Sequence, residues 1–490
     1  MSYTKKAFWS FSVIFICLAL ANVFGYLLRL VIARSLTPAE YGLIYAVMAL
    51  LSFFGFAQTL GLSDALVNAI PGIRDLKRMK SALITVIYTQ LIVTGTILLI
   101  VLLLARWLAA EYFGTMVAVP LLILTAIMVF ISPIEVSLIA FFQGKGLTRW
   151  YGYLTLLRAV VLLAIVVALL ALGFGVFAVM LGYVLMYLVI PVVYIPLMRK
   201  AFPEYWRVKA RFDPTLLRRF IAFGFPIILA SGIGFFLTYI DTFFLTLFRT
   251  LPEVGLYNAA LPTAGLLWFV GGVIYAVMFP LSSEMQAKKG AGVLTDGIGR
   301  MYLYLSILLF PFAAIIVIYP GIILNLLFGG AYVGAALALQ ILVIGGVFYT
   351  FATLNSSIIA GLGHPRKALY GLVAAAVVNV IGDILFIPRY GIAGSAAVTL
   401  VAFIVLLAVH TVVLRKIVPY GIPGLRMAGV LLATAGAVGV VFLVRLTELT
   451  MWWKIGVGVL VAGIMYAVLL FALRVITVKE LKDLKTMIGR

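Results

Sequence analysis

The sequence predicts an all-α, polytopic membrane protein of about fourteen transmembrane helices. They are expected to form two six-helix repeats in parallel orientation, followed by two C-terminal helices. Three observations predict it: apolar runs from end to end, positive charge on alternate connections, and a charged turn that occurs twice. The 490 residues are 65% hydrophobic and only 10% charged, and the mean hydropathy is +1.25. Soluble domains carry about 25% charged residues, so a soluble fold is excluded.

Apolar runs long enough to cross hydrocarbon as helices fall at 8–33, 41–63, 81–104, 117–141, 151–172, 174–198, 220–248, 254–282, 301–327, 332–360, 367–387, 391–414, 425–445 and 452–474. The first imitates a secretory signal, with Lys5 and Lys6 ahead of it and Ala19 to Ala21 behind. It continues to Ile32, longer than a cleaved apolar region, and is read as a retained span. Cys17 lies inside it, and Ile16 is not the small residue a lipoprotein box needs before its cysteine. One cysteine excludes a disulfide or a cysteine metal cluster.

The formal net charge of +21 does not point to nucleic acid, because the charges flank spans instead of gathering in a basic domain. Of 36 basic residues, twenty-eight fall on one set of alternate connections and six on the other, with Arg29 and Arg158 left inside spans. The positive-inside rule then puts both termini in the cytoplasm and the protein in the cytoplasmic membrane. The segment Arg199 to Arg219 is basic and amphipathic, so it is expected to lie along the headgroups as a linker. Trp206, Trp452 and Trp453 fall at interfaces as anchors.

The repeated turn reads Arg34-Ser-Leu-Thr-Pro-Ala-Glu-Tyr-Gly-Leu, and again Arg249-Thr-Leu-Pro-Glu-Val-Gly-Leu. A second echo sets Gln143-Gly-Lys-Gly-Leu-Thr-Arg beside Ala360-Gly-Leu-Gly-His-Pro-Arg. Six spans separate each pair, an even number, so both repeats face the same way; such internal repeats are a hallmark of transporters. The chain divides into an N-lobe at 1–198, the linker at 199–219, a C-lobe at 220–416, two extra spans within 417–475 and a basic tail at 476–490.

With the Arg34–Leu43 turn, Leu60-Gly61-Leu62 near the end of span 2, and two six-helix bundles plus two helices, the chain resembles the polysaccharide flippases. Their superfamily, the multidrug/oligosaccharidyl-lipid/polysaccharide exporters, also holds the lipid II flippases and the MATE exporters. The resemblance covers essentially the whole chain and is most specific from Ala33 to Leu62. It implies a V-shaped pair of lobes around a central cavity, crossed by lipid-linked oligosaccharide through alternating access.

No catalytic or cofactor motif is present. No P-loop occurs, His364 and His410 are far apart, and the carboxylates form no short-range pair, so a transporter rather than an enzyme is expected. Ionisable residues inside spans cost a few kcal/mol each and are functional candidates. Arg29, near the external end of span 1, is read either as a cavity cation for a lipid phosphate or as a snorkelling or structurally paired residue. Arg158, about two turns into span 5, is read as an entrance contact for phosphate or as a structural partner. Arg34, in the external turn, is the third candidate for substrate binding.

Asp241 in span 7 falls near the repeat equivalent of Arg29. An Arg29–Asp241 pair closing the external side is one reading; a coupling-ion site and a bond to Tyr239 or Thr238 are the others. Asp383, beside Asn379, and Glu135, after Pro133, are further sites for H⁺ or Na⁺, or else interhelical hydrogen bonds. Asp64 and Glu284 read as interfacial. Gly224 and Pro226 in span 7 are the expected bend. A flippase for lipid-linked oligosaccharide fits best, with glycan polymerase or glycosyltransferase machinery as candidate partners. A cation- or proton-coupled drug exporter of the same fold is the alternative, and a glycan polymerase lacks the external segment it needs.

Overall fold

The computed structural model describes residues 3–287, 291–445 and 451–477. Lys288, Lys289 and most of the basic tail lie outside them, as do the side chains of Pro226, Trp452 and Trp453. Among the described residues every regular element is helical. The helices are α1 (Tyr3–Ser35), α2 (Pro38–Thr59), α3 (Leu62–Ala69), α4 (Leu76–Trp107), α5 (Ala118–Gly144), α6 (Thr148–Ala171), α7 (Phe177–Ala201) and α8 (Pro214–Phe248). They continue as α9 (Leu251–Ala287), α10 (Ala291–Ile318), α11 (Pro320–Leu327), α12 (Ala336–Gly361), α13 (Pro365–Ile417), α14 (Gly424–Arg445) and α15 (Met451–Ala472). Ten helices among the described residues are long and apolar enough to cross a membrane, and shorter apolar helices run over Pro38–Phe54, Leu237–Phe248 and Gly456–Ala472. The protein is a multi-pass, all-α membrane protein.

Two compact units emerge. One comprises Met1–Ala259, Asn325–Tyr332 and Val380–Ser395; the other comprises Ala260–Leu324, Val333–Asn379 and Ala396–Arg490. In the first, α1 packs on α6, α4 and α7 on α5, and α2 on α8. Cys17 is buried against Gly152, where α1 and α6 run close. In the second, Leu303, Val430, Ala433 and Leu470 make a core among α10, α14 and α15. Ala352 of α12 packs with Ala375, Ala402 and Leu406 of α13. The small side chains let these helices approach, as membrane interfaces require.

Local chemistry fixes the helix ends that matter. Thr37 accepts from the Glu40 backbone N–H, and the Glu40 carboxylate accepts from the Thr37 N–H at 2.9 Å. This capping box, with Pro38 in the first helical turn, starts α2. Span 2 does not run through to its expected end. Leu60 and Gly61 both take left-handed backbone, with φ of 45° and 60°, which separates α2 from α3. The Gly224 backbone of α8 sits against Gly61, leaving no room for a side chain at either position. α13 is likewise two helices joined at Gly391, where φ is 57°.

The segment Arg199 to Arg219 is built from several short pieces. α7 runs to Ala201, Pro203–Trp206 form a single 3-10 turn, extended chain follows, and α8 starts at Pro214. Pro203 and Pro214 each open a new element because proline suits a first turn and not an interior. Lys80 of α4 ties the segment down, donating to the carbonyls of Tyr205 at 2.7 Å and Val208 at 2.9 Å. The same ammonium lies 4.2 Å above the Tyr205 ring, and burial pushes that phenol above its ordinary pKa. Farther on, the Asp213 N–H donates to Thr85. Trp206 is exposed.

The two copies of the repeated turn meet. A Cβ at Gly42 would collide with the Leu251 carbonyl and the Gly255 backbone, and one at Gly255 would collide with Pro38 and Gly42. Gly42 and Gly255 hold the same place in the two copies. The start of α2 and the start of α9 therefore pack backbone to backbone at these two glycines.

Candidate functional site

The half-buried Arg29 of α1 lies with its guanidinium 4.8 Å from the centre of the Tyr45 ring, a distance at which the cation is held by the ring face. Tyr41, Tyr183 and Tyr239 lie near it as well. Tyr41 and Tyr45 stand one turn apart on α2 and their rings pack 4.7 Å apart. Tyr183, Tyr187 and Tyr194 lie along one stripe of α7, at spacings of one and two turns. Tyr183 feels both Arg29 and Arg158, so the two guanidiniums that fall inside spans share one tyrosine-lined surface.

Arg158 of α6 has a partner. Its guanidinium is 3.8 Å from the Glu135 carboxylate of α5, and Tyr194 donates to the other Glu135 oxygen at 3.0 Å. Glu135 is 1% exposed and Arg158 38%. An acid this deep is costly to ionise unless paired, and Arg158 is the cation that pays for it. The arginine keeps an accessible edge while its carboxylate is sealed.

A second cluster is acidic. Asp241 of α8 and Asp383 of α13 are buried, at 4% and 0% exposure. Tyr257 donates to Asp241 at 2.5 Å. Asp383 faces the Asp241 carboxyl and the Ser395 hydroxyl. Two acids buried this deep are costly to place in a membrane and mark the cluster as a functional candidate. Among the described residues no group of three His, Cys, Asp or Glu side chains is arranged to hold a metal ion, so any cation here would rely on hydroxyl or amide oxygens as well. Arg29 lies over Tyr45, while Asp241 takes the Tyr257 hydroxyl and lies near Asp383.

Arg34 has a different task from Arg29. It donates through Nε to the Leu327 carbonyl at 3.0 Å and through a terminal nitrogen to the Leu326 carbonyl. These are end carbonyls of α11, which have no partner within their own helix, and a cation there also opposes the negative end of the helix dipole. Arg34 therefore caps a helix rather than joining the tyrosine surface. His410 is buried between the Ala352 and Ala368 carbonyls, at 3.0 and 2.9 Å, away from any metal cluster.

The structure thus brings Arg29 and Arg158 onto one surface, Glu135 to Arg158, and Asp241 to Asp383. Sequence reasoning missed Tyr41, Tyr45, Tyr183, Tyr187 and Tyr194. The helical spacing of these tyrosines was the available signal, but it is shared by any aromatic stripe facing lipid.

A family model described as polysaccharide biosynthesis protein matches residues 5–286. The chain is 28% identical over 504 residues to the uncharacterized membrane protein MJ1068 of Methanocaldococcus jannaschii, covering 99% of each. It is 24% identical over 223 residues to the probable low-salt glycan biosynthesis flippase Agl15 of Haloferax volcanii, covering 44% of this chain and 47% of that one. Its fold is similar to that of the lipid II flippase MurJ in an inward closed conformation. The TM-score is 0.73 at 13% identity, covering 93% of this chain and 97% of the other.

Proposed function

The chain belongs to the polysaccharide biosynthesis protein family, and from that membership we propose that it is a flippase for a polyprenyl-phosphate- or pyrophosphate-linked oligosaccharide. It works in the cytoplasmic membrane with both termini cytoplasmic and fourteen spans. Two six-helix lobes, 1–198 and 220–416, alternate access to the cargo. The likeness to a probable glycan biosynthesis flippase supports the substrate class.

One observation carries the reading: Arg29 and Arg158 share a surface lined by Tyr41, Tyr45, Tyr183 and Tyr187. Guanidiniums bind phosphate through two parallel hydrogen bonds. Tyrosines offer sugars a flat apolar face with a hydroxyl at its edge. Arg158 keeps an accessible edge beside the sealed Glu135, and a phosphate would share that guanidinium with it. Asp241 and Asp383 hold the coupling H⁺ or Na⁺, and the binding of that cation sets which side opens.

The exporter reading has one observation in its favour, the same acidic pair, which suits a cationic cargo. The tyrosine surface carries two cations instead, and the acids then serve the coupling ion. The test is transbilayer movement of a lipid-pyrophosphate-linked glycan in proteoliposomes, wild type against Arg29→Ala. The expected result is movement by wild type and a fall of about a hundredfold in the variant, the loss of a charged contact worth about 3 kcal/mol. Movement unaffected by the change would remove Arg29 as the phosphate ligand. Uptake of a cationic dye with no glycan movement would replace the flippase by the exporter.

A further inference from the structure

A second cationic site lies at the opposite end of the first unit from the repeated turn. Arg74 sits in the short connection between α3 and α4, Arg78 in the first turn of α4, and Arg219 in the first turns of α8. All three line one cavity of about 190 Å³. Its wall includes Leu216 and Phe220, which are 3% and 2% exposed and give the hollow an apolar side. Asp75 is the acid at the rim, and its two oxygens are already engaged. Oδ1 accepts from the Lys77 N–H at 3.0 Å and Oδ2 from the Arg78 N–H at 3.3 Å, as an N-cap for α4.

None of the three guanidiniums takes part in a salt bridge or side-chain hydrogen bond among the described residues. Three like charges around one hollow repel one another. They lie on the side that the distribution of Lys and Arg assigns to the cytoplasm, where the leaflet carries anionic lipid. We propose that this cavity binds the phosphate headgroup of an anionic membrane lipid. Arg74, Arg78 and Arg219 would grip the phosphate, with Leu216 and Phe220 against the glycerol end of the chains. The lipid bridges the start of α4 to the start of α8, one from each sequence repeat, and so fastens these two helix starts to each other. The site is separate from the Arg29–Arg158 surface and does not depend on what cargo that surface takes.

The experiment is native mass spectrometry of the full-length protein in detergent, titrated with dioleoyl-phosphatidic acid, dioleoyl-phosphatidylcholine or inorganic phosphate. The wild type is compared with the triple variant Arg74→Gln/Arg78→Gln/Arg219→Gln. A second triple variant, Arg199→Gln/Arg207→Gln/Arg211→Gln, removes the same charge from a neighbouring segment. At about 1 kcal/mol per basic residue, the pocket variant should hold the first phosphatidic acid about a hundredfold more weakly. The second variant should bind like wild type, and phosphatidylcholine should add no tight adduct to any form. Equal loss in both variants would reduce the effect to general surface charge and overturn the proposal. Inorganic phosphate displacing the lipid at equal concentration would assign the cavity to a free anion and also overturn it. Should the triple variant not remain monodisperse, the single variant Arg219→Gln takes its place, with about a fivefold loss expected and an unchanged affinity counting against the site.

Discussion

The two copies of the repeated turn share their Arg, Leu, Pro, Glu and Gly, yet their charges do different things. In the first, Arg34 and Glu40 stand six positions apart, and Glu40 closes the capping box on Thr37 while Arg34 reaches the end carbonyls of α11. In the second, two residues fewer bring Arg249 within one helical turn of Glu253. The two form a salt bridge at 2.9 Å that packs against the left-handed Gly391. Thr250 contributes a long 3.5 Å contact to Glu253 in place of a capping box. The glycines behave identically: Gly42 and Gly255 pack on each other's backbones. Duplicated sequence therefore keeps the close approach of its two glycines. It is free to reassign the charges around them.

That contrast can be broken at its strongest point first. Gly42→Val puts a side chain against the backbone of Leu251 and Gly255, where no rotamer change gives relief. Overpacking of this kind costs about 1–3 kcal/mol, and Gly255→Val should match it. Thermal unfolding of both variants measures this, and a loss at only one of the two would deny the shared packing. Next comes Arg34→Met, which strips the α11 carbonyls of their donor at a cost of about 1 kcal/mol. Arg249→Met should cost less, since its carbonyl contact to Pro388 is long, at 3.5 Å, and its partner Glu253 is partly exposed. The finest test is a pair of double-mutant cycles on stability. Arg249 with Glu253 should couple by about 0.5 kcal/mol, as a partly exposed pair does. Arg34 with Glu40 should be additive; equal coupling in both would erase the distinction.

The repeat, the helical class and the two guanidiniums inside spans were legible because each is written in local pattern: hydropathy over twenty residues, charge on alternate connections, a motif recurring in order. The partners of those charges were not. Glu135 is paired with Arg158 through α5 and α6, and Asp241 with Asp383 through α8 and α13. Neither pairing follows from spacing along one helix, because both depend on how helices distant in sequence are rotated. The Tyr45 ring over which the Arg29 guanidinium lies belongs to another helix, so this contact was equally illegible in the sequence. The break at Leu60–Gly61 is invisible to hydropathy because both flanking runs are apolar. It is set instead by the Gly224 backbone packed against it.

The tether of the Arg199–Arg219 segment bears on how the polypeptide behaves when severed. Lys209 is exposed, and the chain is fastened to α4 on both sides of it, through Tyr205 and Val208 to Lys80 and through Asp213 to Thr85. A tryptic nick after Lys209 would thus leave two fragments, each still anchored to the same helix. Such a protein should run as two bands on a denaturing gel and as one particle in detergent.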